Sequence, residues 1–343
     1  RKYYYEGRPY HGEIEKEAMQ LEGKVRITNG DDSDSHEMRQ LKVCVEKSLT
    51  HWDGMTNANA TEIWTYLRDK WLERGVHEHA SIASFNKLML ELMTMDEGNM
   101  DVEWLSFAIQ AQTDELRHTQ IAFHYANCFH NVWRMRSADM QLTTTSLQWQ
   151  VFAPGPLPSH NLTIGLKHAR DVAQIIVDGC FHETISALLL AQEVHNIRQC
   201  EMALPSDDPM KWLLLRLSDD VLAIANDELH HSIFAWMLFW KFSQNSEWRS
   251  AFHSSLLDPL WWNTLLFHAK FNTLSVLPPS SVTVLQCYGV VDTFQTQLVV
   301  THAVQYIFPS LLSSLRNSHN LTVFRHTLTN TLQLYPLSSQ CAI

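Results

Sequence analysis

The sequence DELRHTQIAF at Asp114–Phe123 returns as DELHHSIFAW at Asp227–Trp236. Asp, Glu, Leu and His keep their offsets. So do a hydroxyl residue (Thr119, Ser232), an alanine (Ala122, Ala235) and an aromatic ring (Phe123, Trp236). A second pair of matching stretches precedes these copies: HEHAS at His77–Ser81 and HETIS at His182–Ser186, both H-E-x-x-S. The order along the chain is HExxS, DELxH, HExxS, DELxH. A chain that repeats two patterns in the same order is built from two similar halves, and few folds accommodate that.

All four motifs lie in long segments of helical periodicity, at about 61–95, 101–130, 164–203 and 210–243. DEGNMD separates the first two, PSDDP the last two, and a long connection containing APGPLP joins the pairs. With only 11 glycines and 11 prolines, the chain reads as all-α. The expected architecture is a four-helix bundle over residues 57–245 with an internal pseudo-twofold repeat. Residues 1–56, polar and charged, form a largely irregular N-terminal extension, with NGDDSDS at 29–35 as a loop. Residues 246–343 read as a helical C-terminal extension packed on the bundle, including a helix at about 290–316 interrupted by Pro309.

Helix geometry says what the motifs do. Residues at i and i+3 differ by about 60° in direction and roughly 4.5 Å along the axis. Glu115 and His118 therefore leave one face of their helix, as do Glu228 and His231. Around Glu115 the same face carries Ala108, Ala111, Ala122 and Tyr125; around Glu228 it carries Val221, Ile224, Ala225 and Ala235. Glu78 sits among Trp71, Gly75, Ile82, Phe85 and Met89, and Glu183 among Ile176, Gly179, Cys180, Ala187 and Leu190. Apart from Arg74, beside Gly75, these stripes are apolar or small, so all four glutamates point into a core. Four buried carboxylates without counter-charge would each cost several kcal/mol. Two divalent cations would supply +4 against −4, and two imidazoles would complete their coordination. One Glu from each of two helices plus Glu-x-x-His from each of the other two is the donor set of di-iron and di-manganese carboxylate sites. Such carboxylate-rich sites suit iron or manganese better than copper or zinc.

The stretches Glu78–Phe85 (EHASIASF), Asp114–His118 (DELRH), Gly179–Thr184 (GCFHET) and Asp227–His231 (DELHH) resemble the ferritin-like superfamily of di-iron carboxylate proteins. They are most similar to bacterial ferritin-like domain proteins carrying EHASxASF, DExRH, GCxxET and DExxH in this order. The likeness covers about residues 60–245, with weaker echoes in GRPY near Gly7 and in the tail. It implies Glu78, Glu115, His118, Glu183, Glu228 and His231 as ligands of two iron ions, with manganese or a mixed pair as alternatives. It further implies that Glu115 and Glu228 bridge the ions. Asp114 and Asp227 precede the bridging glutamates and leave the helix about 100° away from them. Each is expected to reach across to the other helix's histidine, Asp114 to His231 and Asp227 to His118, because metal-bound imidazoles donate their second N–H to a carboxylate or carbonyl.

The activity this implies is an O2-activating oxidoreductase acting on an unidentified small-molecule or acyl substrate. The alternatives are a ferroxidase or other iron-handling protein, and a non-catalytic, metal-stapled subunit of a larger assembly. A radical tyrosine of the ribonucleotide reductase type would stand four residues after His118, where the chain has Ala122. The extra histidine of the arylamine oxygenases would stand at Ile224. His77 and His182 precede the lone glutamates, point about 100° away from them and read as packing or supporting residues around the ligands; His79, His124, His195 and His230 read as core or surface histidines, and Tyr125 as a core residue near the site.

Composition excludes some partners. A net charge of −11 argues against nucleic acid. The most apolar stretches, Leu256–His268 and Val290–Leu312, are broken by Asp258, Asn263, Asp292, Gln295 and Gln297, which argues against a membrane span. The six cysteines form no CxxC and read as reduced, buried thiols. Three N-x-T triplets, at Asn59, Asn161 and Asn320, would permit secretion, so the compartment stays open, as does homo-oligomer formation.

Overall fold

The computed structural model describes residues 26–30, 57–94, 102–138, 149–153, 169–256, 279–317 and 320–333. Among them the protein is all-α apart from one short ribbon. Four long helices dominate: α1 (Asn57–Thr94), α2 (Val102–Ala138), α3 (Ala169–Ala203) and α4 (Pro209–Ser243). α1 packs along α2 and α3 along α4, and the two pairs meet chiefly through α2 and α4. The break before α4 has a local cause. Asp208 is its N-cap, accepting from the Met210 N–H at 2.8 Å, and Pro209 occupies the first turn, where no N–H is needed.

The core is divided. One apolar cluster holds Leu92, Trp104, Ala108, Ile176, Phe181 and Trp236. The other holds Leu67, Trp71, Tyr125, Val194, Leu217 and Ile224. On α1, α2 and α4 the motif residues fall between the stretches that feed these two clusters; on α3 Glu183 lies within the first, between Phe181 and Leu188, and the second begins at Leu190. The polar layer thus lies mid-way along the helices with apolar packing on both sides. Gly75 and Gly179 let the helices approach there: a Cβ on Gly75 would stand 3.2 Å from the Phe123 ring, and one on Gly179 3.2 Å from the Ala235 Cβ.

Strand β1 (Arg26–Gly30) pairs antiparallel with β2 (Trp149–Ala153), Arg26 opposite Ala153 and Gly30 opposite Trp149. This five-residue strand departs from the irregular extension expected over 1–56 and takes in Asn29 and Gly30 of the expected loop; β-branched and aromatic residues on both sides favour the pairing. The rest of that extension lies outside the described residues.

The C-terminal part contributes α5 (Ser246–Leu256), α6 (Pro279–Cys287), α7 (Thr293–His302), α8 (Phe308–Asn317) and α9 (Leu321–Gln333). α5, α6 and α7 pack on α3, and α9 on α4. The helix expected at 290–316 is α7 and α8 joined by one π turn, Ala303–Ile307. Pro309 follows directly. It lacks an N–H and crowds the carbonyl four residues back, and the wider turn absorbs this without ending the helix. Gly289 (φ 85°) closes α6: the Gly289 N–H donates to Gln286 O and the Val290 N–H to Leu285 O, the double bond of a Schellman turn. A Cβ there would also come within 3.0 Å of Ile197.

One expectation is overturned. Cys200 and Cys287 form a disulfide, Cα–Cα 5.3 Å, fastening α6 to α3. The two are separated by 87 residues, so no local spacing announced the pair. Asn196 reinforces the same contact by donating to Val290 O at 3.2 Å and to Gln295 Oε1 at 3.0 Å. Cys128 and Cys180 are buried thiols outside any disulfide, as expected; Cys44 and Cys341 lie outside the described residues.

Two helical stretches, Val172–Ala203 and Thr293–Leu315, are long and apolar enough to cross a membrane by length and composition. The first has 61% of its most apolar window buried and carries Glu183 into the polar layer, so a core position accounts for its hydropathy. The second packs against α3 through α7.

Candidate metal centre

The polar layer collects the six expected side chains from four helices: Glu78 from α1, Glu115 and His118 from α2, Glu183 from α3, Glu228 and His231 from α4. All are buried except Glu78, which is partly so. They form two groups, Glu78–Glu115–His118–Glu228 and Glu115–Glu183–Glu228–His231, each with its donor atoms within 4.8 Å of one another. Glu115 and Glu228 belong to both.

Both imidazoles turn Nδ1 inward. His118 Nδ1 lies 3.3 Å from Glu228 Oε1, 3.8 Å from Glu78 Oε2 and 4.0 Å from Glu115 Oε2. His231 Nδ1 lies 3.6 Å from Glu115 Oε1 and 3.8 Å from Glu228 Oε1. The ring centroids are 6.0 Å apart, and the edge of Phe85 meets His231 at 5.1 Å.

The opposite nitrogens face the aspartates expected of them. His118 Nε2 is 2.9 Å from Asp227 Oδ2, a hydrogen bond. His231 Nε2 is 3.5 Å from Asp114 Oδ2, too long for a well-formed one. The pairing crosses between α2 and α4 in both cases, but it is not symmetric. Donation from Nε2–H to Asp227 leaves the lone pair of His118 on Nδ1, facing the glutamates.

Arg117 completes this outer layer, and the spacing argument missed it. Its guanidinium pairs with Asp227 and lies 3.6 Å from Asp114. One arginine therefore touches both outer carboxylates. The other copy of the motif has His230 at that offset. The i, i+3 spacing within the motif already sets Arg117 beside Asp114, but its second partner, Asp227, sits on a different helix, which helical periodicity does not reveal. A second polar group, joining α3 to α4, was also missed: Thr184 and Ser232 hydroxyls 2.6 Å apart, with the Trp236 indole N–H donating to Thr184 at 3.1 Å.

Electrostatics follow from this crowding. Burial alone would raise the Glu78 carboxyl, but the neighbouring His118 imidazole, Glu115 and Arg74 hold it at about 2. Burial would lower His118, but the Glu228 and Glu78 carboxylates that face its Nδ1 lift it to about 9. The Asp114 carboxyl lies below its ordinary value: burial opposes this, while His231, Gln110 and Arg117 outweigh it.

On the inner side of this layer the buried His118 Nδ1, His231 Nδ1 and Glu228 Oε1 make no hydrogen bond among the described residues. Each would carry a desolvation cost of about 1–3 kcal/mol if left so. A cation in the space they face removes that cost, and the buried Glu/His groups could hold a metal ion.

The remaining candidates take structural places. Tyr125 is buried, donates to Asp220 Oδ2 at 2.7 Å and packs on Trp71, and it belongs to neither donor group. His77 and His182 are partly buried and also lie outside both groups. His79 is buried, and burial lowers its basicity. Burial pushes the Cys180 thiol well up. Arg74, the one cation on the stripes, is held by both oxygens of Glu193 at 2.8 Å, with Lys70 at 3.4 Å from the same carboxylate.

No protein-family model, curated protein or solved structure matches this chain.

Proposed function

We propose that the chain is a ferritin-like di-metal carboxylate protein, two similar helix pairs enclosing two iron ions, with manganese or a mixed pair as alternatives. One observation carries this reading: two four-residue donor groups share Glu115 and Glu228, and each holds one inward-facing imidazole. Four carboxylates and two imidazoles are a donor set for iron or manganese. Glu115 and Glu228 would bridge, Glu78 with His118 would hold one ion, and Glu183 with His231 the other.

The activity we infer is oxidation of an unidentified small-molecule or acyl substrate by dioxygen. Bound in this layer, two such ions would supply electrons for the reduction of O2. The protein's own part is to hold the ligands and exclude water. Apolar clusters on both sides keep solvent from the layer, and Asp227 fixes the tautomer of His118.

Metal analysis after anaerobic reconstitution tests the centre and should give about two ions per chain, since +4 balances four carboxylates. Substoichiometric binding would overturn it. Exposing the iron-loaded, reduced protein to air tests the chemistry. Stoichiometric O2 consumption with a transient absorbance supports the oxidoreductase. Continued turnover of added Fe2+ with mineral accumulation would assign iron handling instead. A centre that stays reduced in air would mark a structural staple.

A further inference from the structure

The duplication supplied the scaffold twice but one buried pair only once. Seven residues before Glu78 on α1 stands Trp71; seven after His118 on α2 stands Tyr125. Seven residues are about two helical turns, roughly 10.5 Å of rise. The corresponding places in the second half are Ile176 and Leu238. Both are plain apolar core residues. Trp71 and Tyr125 are equally buried, at 3% and 2% exposure, and their rings lie 4.7 Å apart. A phenol at this depth costs desolvation that leucine avoids, unless its O–H finds a partner. It finds a carboxylate: Tyr125 O–H donates to Asp220 Oδ2 at 2.7 Å. Asp220 in turn lies 3.3 Å from Arg216 Nε, has its side chain 20% exposed, and so reaches solvent.

We propose that Tyr125 and Asp220 form a proton-coupled, one-electron redox site. On oxidation the phenol gives its electron to an outer-sphere one-electron oxidant. The O–H bond breaks, and the proton passes along the existing hydrogen bond to Asp220 Oδ2. The products are a neutral phenoxyl radical on Tyr125, a carboxylic acid at Asp220 and the reduced oxidant. Arg74 gives a reason for the oxidation to settle on the tyrosine rather than on the neighbouring indole. Its guanidinium lies over the Trp71 ring at 4.7 Å, which disfavours a positive charge on the indole. Tyr125 sheds its proton and stays neutral. In the working protein an oxidised metal centre would be the oxidant; that clause alone rests on the function proposed above. Position separates this site from the tyrosine four residues after the first histidine, since that place is Ala122.

The test uses metal-free full-length protein and a photogenerated ruthenium(III) polypyridyl oxidant, read by electron paramagnetic resonance and transient absorbance. The wild type should show a tyrosyl component that is absent in Tyr125→Phe, so their difference spectrum reports this site apart from exposed tyrosines such as Tyr306. Asp220→Asn retains the phenol but removes the proton acceptor. It should slow the rise of that component by about 100-fold, the low end of what a positioned base contributes. Circular dichroism checks the fold of both variants. Identical spectra for wild type and Tyr125→Phe would overturn the proposal. A Tyr125 component formed equally fast in Asp220→Asn would overturn the role of Asp220. Because no metal is present, failure here leaves the metal count untouched, and failure of the metal count leaves this result standing.

Discussion

Removing Asp227 should damage the centre more than removing Asp114, although the motif presents them as equivalents. His118 Nε2 meets Asp227 at 2.9 Å, whereas His231 Nε2 stands 3.5 Å from Asp114. The first is a hydrogen bond to an ionised acceptor, worth about 1.5–3 kcal/mol; the second is beyond good geometry. Loss of a carboxylate that orients a ligating imidazole costs about 10- to 100-fold in metal affinity, or roughly 1.4–2.8 kcal/mol. Asp227→Ala should reach the upper part of that range and Asp114→Ala less than about tenfold. Asp227→Asn, which keeps an acceptor oxygen but not the charge, should fall between. Arg117 limits the collapse, since it lies 3.6 Å from Asp114 and can remain in place in Asp227→Ala. The assay is competition with a chromophoric chelator under anaerobic conditions, fitting successive affinities. The weakened step in Asp227→Ala should be the one lost altogether in His118→Ala. Wild-type affinity in Asp227→Ala, or a larger loss in Asp114→Ala, would refute the link between these distances and the tautomer.

Three further outcomes are expected. With the His118 imidazole raised to about 9 by Glu228 and Glu78 against its burial, it is protonated in the metal-free protein near neutrality. Metal must displace that proton, so affinity should rise by about tenfold per pH unit toward that value, checked by titration at several pH values. Stability of the metal-free protein follows the same groups. The His118 contribution is full below 6.5 and lost as pH rises through about 9. The Glu78 contribution is present above 4.5 and lost as pH falls through about 2. Urea midpoints should therefore be highest between 4.5 and 6.5 and fall on both sides. Gly179→Val should cost about 1–3 kcal/mol and reduce metal content, since its first added carbon would already stand 3.2 Å from Ala235 and Glu183 is one turn away. Reducing Cys200–Cys287, which spans 87 residues, should lower stability by up to about 4–5 kcal/mol, and an unchanged melting temperature under reductant would show the staple to be idle.

What could be read from the sequence, and what could not, divides along a physical line. An i, i+3 pair on an apolar stripe is a property of one helix, so Glu115 with His118 and Glu228 with His231 were placed on one face before any packing was known. The lone glutamates followed, because their stripes were equally apolar, and duplication then required the four faces to converge. Asp114 and Asp227 were legible for a similar reason: their direction, about 100° from the ligand, left only a neighbouring helix to reach. Features set by the distance between helices were not legible. Cys200 and Cys287 share no periodicity. Arg117 becomes meaningful only when α4 brings Asp227 to it. The paired strands join segments that neither sequence marks as partners. Symmetry itself was overestimated on the same ground. Two copies of a motif look alike in one dimension, yet one arginine serves both aspartates, and only one histidine is held at hydrogen-bonding distance. Two stretches alike in sequence thus offer two unlike donor groups, one with Glu78 partly open to solvent and one with Glu183 buried. The first metal step and the second are then expected to differ in affinity, because the surroundings that hold each histidine differ although the ligands do not.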